Sequence, residues 1–429
     1  MIRFILALSL FLLPVLGPLQ LGPIVHIPDT GDAKEFLILM SIVAMGLSGF
    51  VWRAKLGHAP RRPQNPFLFL LILFIPLSIY SSPKFKMFYG PNNMGGIWMW
   101  EATFWIFAYF WMYQSIVLVP MCREYSQKMV VRAIGWAAII SSGYAYLQAL
   151  RLDQWQFVRP MGEVGVVPNG HISAMLDNPT MLGVWLSFCL PVLMLFFKKR
   201  FVFLVAGAIL LTKSIFAIAG MVFCLAFVPA LRARRTIFLK AIAVAGISSA
   251  FALCACWGPI QSKFGDISSG RIKVWKQTIE DWRGPCLTVP EPEGVLPERK
   301  VSGAWSINEK TFALTGRGPG SFPYIFSTKH ATDPNWPSNW KSPHNVYLLS
   351  LYSIGLIGTV LLLLALSLVL CQSFYRAREN KFSSALYSSI VYICLAAVGT
   401  PILSSPTITF YTVASIAMLS PRKLFSKKV

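Results

Sequence analysis

Long and nearly uninterrupted apolar segments constrain the fold of this chain more than any other feature. A helix needs about 20 mostly apolar residues to cross a bilayer, and such segments recur along the whole sequence. Charged residues make up 13% of the chain, whereas a soluble globular domain has about 25%. The sequence therefore predicts an all-α polytopic integral membrane protein with about 12 transmembrane helices. We place these spans at roughly 4–24, 36–52, 66–82, 97–119, 129–149, 173–197, 201–212, 214–231, 237–258, 345–371, 384–401 and 403–420.

The first apolar segment also has one feature of a secretory signal peptide, because Arg3 gives it a charged start. No small-residue cleavage site is obvious before Pro28. We therefore interpret this segment as the first transmembrane helix.

The net charge of +22 is unevenly distributed between the predicted turns. If both termini are cytoplasmic, the inner turns hold 22 Lys or Arg residues and two acidic residues, and the rest of the chain holds 17 and 15. This bias is typical of cytoplasmic loops and favours an even number of spans. The short connections and the lack of a disulfide framework among the cysteines suit a bacterial inner (cell) membrane. A nucleic-acid-binding surface explains the distribution less well, so we expect membrane lipids and no nucleic acid as partners.

One connection is much longer than the others and separates the ninth and tenth predicted helices. It divides the chain into residues 1–258, 259–343 and 344–429, and its 11 basic and 8 acidic residues lie on the periplasmic face by helix parity. A loop of this length is expected to be partly folded and functional. Within residues 269–282, the large apolar side chains recur at helical spacing and predict an amphipathic helix, with a face of Ile272, Trp275, Ile279 and Trp282.

Three alternating glycines follow in the same loop, at Gly316, Gly318 and Gly320. Glycines in this pattern allow a tight turn and a close approach of backbone N–H groups to a ligand. A purely structural turn explains them equally well. A dinucleotide site would need a preceding strand and a following helix, and the sequence around these glycines predicts neither.

Two groups of polar residues lie at predicted helix starts. His344 and Asn345 stand where the tenth span leaves the aqueous phase, and ionisable residues at such depths are costly unless they are solvated, paired or functional. Asp177 and Asn178 precede Pro179 at the sixth span. Helix capping with a proline in the first turn explains this second group as well as ligand binding does.

The order of these elements resembles the O-antigen ligase and polymerase superfamily of bacterial membrane glycosyltransferases. The stretches GRIKVW, GRGPGSF and HNVYLLSLYSIGLIG follow one another as the family's Arg…Trp, Gly-x-Gly-x-Gly-Phe and His-Asn stretches do, and DNPTMLG is similar to its Asn-Pro-Asn motif. The resemblance implies transfer of a glycan from an undecaprenyl-pyrophosphate-linked donor to an acceptor hydroxyl at the periplasmic face. The acceptor would be a glycolipid such as lipid A core, or another glycan. It also implies that no cofactor and no metal ion are needed.

The resemblance assigns candidate site residues as well. His344 is the candidate general base, because imidazole, with a pKa near 6.5, can accept the proton of the acceptor hydroxyl, and Arg271 is the candidate that grips the pyrophosphate. The chain departs from many relatives at Ile215, which follows Ser214 in place of an arginine, and at His171, which also replaces an arginine. The candidate substrate-binding residues are Asn345, Lys213, Arg159, His171, Asn178, Arg317, Gly318 and Gly320.

The sequence leaves other functions open. Ligases, polymerases and protein-glycosylating relatives of the same superfamily are not distinguished by these motifs. A transporter would also fit twelve spans, but it is expected to show inverted repeats and charged or broken helices at mid-membrane. We find no such repeat, and the candidate residues cluster towards one face. A membrane scaffold would not account for the loop motifs.

Overall fold

The structure of the chain is a computed structural model in which thirteen helices and one pair of short strands are described. It describes residues 2–15, 19–21, 25–27, 30–56, 66–81, 94–118, 124–152, 172, 174, 176, 179–233, 271–283, 310–319, 321–322, 342–400 and 405–419. The helices are α1 (Ile2–Leu12), α2 (Thr30–Leu56), α3 (Pro66–Ser81), α4 (Met94–Leu118), α5 (Glu124–Ala149), α6 (Pro179–Phe196), α7 (Lys199–Leu211), α8 (Ile215–Arg232), α9 (Arg271–Arg283), α10 (Lys310–Thr315), α11 (Val346–Glu379), α12 (Lys381–Ala396) and α13 (Pro406–Leu419). The strands β1 (Leu19–Leu21) and β2 (Val25–Ile27) pair antiparallel.

Four of the described helices are long and apolar enough to cross a membrane, namely α5 from Tyr125, α6, α8 and α11. The predicted helical class is confirmed, and the length and composition of these four helices agree with a membrane protein. Eleven of the twelve predicted apolar segments overlap a described helix, and the ninth, at 237–258, lies outside the described residues. The count of twelve spans and the outer placement of residues 259–343 stay predictions.

The first predicted span, at 4–24, is wrong in its extent. Helix α1 ends at Leu12, two residues before Pro14, and β1 begins at Leu19. A proline disfavours the helical conformation in the residue before it, which accounts for the early end. With 11 residues, α1 is about 16 Å long, which is shorter than the apolar core of a bilayer.

The chain forms two compact units. The first comprises Met1–Gln64, Ala108–Trp257 and Val369–Val429, and the second comprises Asn65–Phe107 and Gly258–Leu368. The long loop that the sequence sets apart therefore belongs to the same unit as residues 65–107 and the first part of α11.

In the first unit, helix α6 lies at the centre and packs against α5, α7, α8 and α12. Trp185 and Phe188 on α6 meet Tyr411 of α13 edge to face, with ring centres 5.9 and 5.8 Å apart. Serine hydroxyls also link neighbouring helices, since Ser187 donates to the Ala217 carbonyl at 2.9 Å. Interhelical hydrogen bonds and close packing of this kind hold helices together in lipid, where the hydrophobic effect contributes little.

In the second unit, a small apolar core joins α9, the end of the glycine-rich stretch and the start of α11. Val274, Phe322 and Tyr352 are fully buried in this core, and Trp282 and Leu349 pack against it. The rings of Phe322 and Tyr352 meet edge to face at 5.2 Å. This core holds the segments that carry the late sequence motifs next to one another.

The amphipathic helix predicted at 269–282 is confirmed as α9, but its predicted face is wrong at Ile272. Val274, Thr278 and Asp281 are the buried positions, whereas Ile272 is 50% exposed. Their spacing of four and three residues still describes one helical face. Thr278 is accommodated there because its hydroxyl donates to the Val274 carbonyl at 2.7 Å.

Candidate functional site

His344 lies immediately before the residue that caps α11. Asn345 accepts a hydrogen bond from the Leu348 backbone N–H through Oδ1, at 3.0 Å, and α11 begins at Val346. This is the usual geometry of an N-cap residue, which satisfies one of the N–H groups that lack a partner at a helix start. Pro343 therefore stands before the cap and outside the first helical turn.

Both acceptor groups of Asn345 bind N–H groups in the first turn of α11. Its side-chain oxygen bonds to Leu348, and its backbone carbonyl accepts from Leu349 N–H at 2.9 Å. The side chain is 8% exposed. The observed contacts thus explain Asn345 as a cap, and its predicted contact with substrate stays a prediction.

The backbone of His344 adopts a left-handed conformation with φ 52°. A conformation of this kind in a residue other than glycine costs about 1–3 kcal/mol and persists only where the surroundings hold it. Two hydrogen bonds do so at the peptide group that joins Pro343 to His344. The His344 N–H donates to Ser342 Oγ at 3.3 Å, and the Pro343 carbonyl accepts from Trp275 Nε1 at 2.7 Å.

Arg317, a predicted substrate-binding residue, is buried in the second unit with 3% exposure. Its Nη2 donates to the backbone carbonyl of Asp281 in the last turn of α9, and its Cζ lies 5.4 Å from the centre of the Tyr352 ring. A cation is favourable at the C-terminal end of a helix because carbonyls there lack helical partners. These contacts make Arg317 a link between α9 and α11, and a direct contact with substrate stays a prediction.

The glycine-rich stretch docks onto a break in α11. Gly355 has φ 67° and ψ −173°, so the helix is interrupted there, and the carbonyls of Tyr352 and Ser353 lose their helical partners. Arg317 N–H donates to Tyr352 at 2.9 Å, and Gly318 N–H donates to Ser353 at 2.8 Å. These two N–H groups therefore bind α11, which agrees with a structural turn.

Glycine is required on both sides of this contact. Gly316 has φ 82°, and a Cβ at this position would clash with the Gly355 nitrogen and the Ser353 carbonyl. A Cβ at Gly355 would clash in turn with the Leu314 carbonyl and the Gly316 nitrogen. Only residues without a side chain permit backbones to approach so closely in this conformation.

The remaining predicted residues are placed less completely. Arg271 is the first residue of α9 and stands one helical turn before Trp275. Lys213 belongs to the first unit, where it is exposed in the turn between α7 and α8 with φ 53°. The predicted residues that lie outside the described part of the chain are Arg159, His171, Asn178 and Gly320. Pro179 begins α6, as the capping interpretation of that motif expects.

Sequence reasoning missed two features of this site. The first is the hydrogen bond from Trp275 to Pro343, since a tryptophan on an amphipathic helix is normally interpreted as packing. The second is the break at Gly355, because single glycines are common in transmembrane helices. The alternating glycines at 316, 318 and 320 indicated a tight turn in the sequence, but they did not identify Gly355 as the position that the turn contacts.

The geometry thus brings together the start of α9, the glycine-rich stretch and the helix start that carries His344. No protein-family model matches the sequence, and no curated protein matches it either.

Proposed function

We propose that this protein is a membrane glycosyltransferase of the O-antigen ligase type, with His344 as the general base. It would move a glycan from an undecaprenyl-pyrophosphate donor to an acceptor hydroxyl at the periplasmic face of a bacterial inner membrane. Both termini would lie in the cytoplasm. The motif order and the charge distribution described above are the basis of this proposal.

The position of His344 is the observation that carries the proposal. The residue is half-buried, and hydrogen bonds fix its backbone just before α11, which contains the most apolar segment among the candidate spans that the structure describes. A lipid-linked pyrophosphate lies at the membrane surface, where an acceptor must approach from water. A base on the end of a spanning helix would have a fixed depth relative to that surface.

The proposed reaction is a single displacement at the anomeric carbon of the donor sugar. The acceptor oxygen forms the new bond, its proton passes to a ring nitrogen of His344, and the bond from the anomeric carbon to the pyrophosphate oxygen breaks. Pyrophosphate leaves with the undecaprenyl chain and needs charge stabilisation more than a proton. Arg271 is the first candidate for this role because arginine binds phosphate oxygens bidentately, and Lys213 and Arg159 are further candidates.

The direct test is glycan transfer by purified protein in lipid nanodiscs. Removal of a general base typically costs about 10²–10⁴-fold in rate, so His344→Ala should lower turnover by this factor and leave donor binding nearly unchanged. His26→Ala, in β2, is the matched control and should keep wild-type turnover. Turnover of the His344→Ala protein above about a tenth of the wild-type value would overturn the general-base assignment.

A transporter is the second candidate, and the break in α11 favours it. Broken helices frequently form the substrate sites of transporters. The break at Gly355 lies nine residues into the helix, about 14 Å along its axis, which is close to half the thickness of the apolar core. However, the carbonyls of Tyr352 and Ser353 at the break are bonded by the glycine-rich stretch. Uptake of labelled glycan into proteoliposomes without new glycosidic bonds would support the transporter.

Within the glycosyltransferase class, the acceptor distinguishes three activities. A ligase transfers a finished glycan to a lipid A core or similar glycolipid, a polymerase extends a glycan, and a third group modifies protein. The surface glycan of a deletion strain separates the first two. Loss of all attachment indicates a ligase, and attachment of single repeat units indicates a polymerase.

A further inference from the structure

Trp275 contacts the backbone next to the proposed base, and it has no part in the proposed bond-forming and bond-breaking steps. It lies on α9, half-buried, and its indole Nε1 donates to the Pro343 carbonyl at 2.7 Å. The bond spans 68 positions of sequence, so it fixes two segments that local structure alone would not join. The accepting carbonyl belongs to the peptide group that joins Pro343 to His344.

The geometry of that peptide group decides where the imidazole points. The φ angle of a residue is the rotation about its N–Cα bond, so it relates the preceding peptide plane to the side chain. In this peptide, Trp275 holds the carbonyl side, and Ser342 Oγ accepts from the N–H side at 3.3 Å. Asn345, the next residue, is fixed as the cap of α11. The left-handed conformation of His344 is therefore constrained by hydrogen bonds on both its N-terminal and its C-terminal side.

We infer that Trp275 is a positioning residue for His344, acting through the Pro343–His344 peptide. This inference rests on the proposed role of His344 as the base. Helix α9 is suited to the task because it is itself anchored at its far end, where Arg317 donates to the Asp281 carbonyl. A reacting group held by rigid elements keeps its geometry better than one on a loop.

Trp275→Phe removes the indole N–H and keeps an aromatic ring. A misplacement of about 1 Å at a reacting group costs on the order of 10²-fold in rate. We therefore expect kcat to fall by about 10- to 100-fold, with KM for the lipid-linked donor changed by less than about threefold. Loss of folded protein would also lower the apparent kcat at constant KM, so kcat is normalised to the amount of folded protein measured by size-exclusion chromatography.

Trp282→Phe is the matched control. Trp282 lies on the same helix and also donates an indole N–H to a backbone carbonyl, but its acceptor is Ala313, away from His344. Both variants lose one hydrogen bond of the same kind. The Trp282→Phe protein should stay within about threefold of the wild-type kcat, because the bond it loses does not involve the Pro343–His344 peptide.

A readout independent of transfer is the rate at which diethyl pyrocarbonate modifies His344. The reagent acts on the folded, purified protein, and mass spectrometry after digestion follows the peptide that carries His344. We expect Trp275→Phe to change this rate by about fivefold or more, the factor that corresponds to one ordinary hydrogen bond. Ser342→Ala acts on the opposite side of the same peptide and should change the rate in the same direction. This second variant decides the question if Trp275→Phe fails to fold.

The possible outcomes separate this inference from the proposed function. Equal modification rates in wild type, Trp275→Phe and Ser342→Ala overturn the positioning role, as does an equal loss of kcat in Trp275→Phe and Trp282→Phe. An active His344→Ala protein overturns the general base instead. An inactive His344→Ala protein, combined with a lower kcat and altered His344 reactivity in Trp275→Phe alone, supports both.

Discussion

At the scale of single residues, adjacent positions in the His-Asn motif have different tasks. The acceptor groups of Asn345 are used by the first turn of α11, whereas His344 stands outside the helix with a half-buried side chain. The motif therefore combines a structural residue, Asn345, with the candidate general base, His344. Mutation of Asn345 should therefore change mainly stability, and mutation of His344 should change mainly the rate of transfer.

Asn345→Ala should destabilise the protein by about 0.5–2 kcal/mol through loss of the cap, whereas Asn345→Ser keeps a capping oxygen and should stay close to wild type. Thermal unfolding in detergent measures the first effect, and glycan transfer by the folded fraction measures any catalytic role. Asn380→Ala is the matched control, because Asn380 caps α12 by accepting from Phe382 N–H at 2.8 Å. If the Asn345→Ser protein has wild-type stability but has lost transfer, the amide contacts substrate.

At the scale of elements, the contact between the glycine-rich stretch and α11 fixes the local architecture. Helix α11 has 34 residues and is interrupted only at Gly355, where two backbones meet. A broken helix leaves backbone groups without partners, and lipid cannot satisfy them. The stretch from Gly316 to Gly318 supplies two of the missing donors, so it is part of the fold of α11.

Gly355→Ala should therefore destabilise this contact. At φ 67° and ψ −173° an alanine costs about 1–3 kcal/mol, and the clash with Leu314 and Gly316 adds to this. Hydrogen exchange should show faster exchange of the Arg317 and Gly318 N–H groups. The matched control is Gly143→Ala in α5, where a Cβ meets nothing within 4 Å. Unchanged exchange at Arg317 and Gly318 would contradict the docking role of the glycine-rich stretch.

The sequence predicts the presence of elements well and their interruptions poorly. Apolar length identifies α6, α8 and α11 because hydropathy over about 20 residues needs no knowledge of partners. The break at Gly355 depends on a stretch far away in sequence, so hydropathy is unaffected by it. The bond from Trp275 to Pro343 likewise depends on how α9 is rotated, and large apolar residues gave the wrong rotation at Ile272.

At the scale of the whole molecule, arginines near the C-terminal end of α11 bind the ends of two other helices. Near the C-terminal end, Arg378 donates to the Ala233 carbonyl at 3.0 Å, just after α8, and Arg376 donates to the Leu419 carbonyl at the end of α13. The basic turns after α8 and α11 therefore meet on one side of the first unit. The two turns therefore belong in one compartment, and the cytoplasmic placement of that compartment stays a prediction.

The topology can be tested by reporter fusions at 302, 233 and 381. The uninterrupted part of α11 after Gly355 runs to Glu379, 24 residues or about 36 Å, which exceeds the apolar core of about 30 Å, so this part should cross the membrane. An alkaline phosphatase fusion at 302 should be active, because this enzyme folds only outside the cytoplasm. Fusions at 233 and 381 should be inactive with phosphatase and fluorescent with a cytoplasmic reporter, since Arg378 binds Ala233. The same compartment at 302 and 381 would contradict both the outer loop and the placement of His344 at the periplasmic surface.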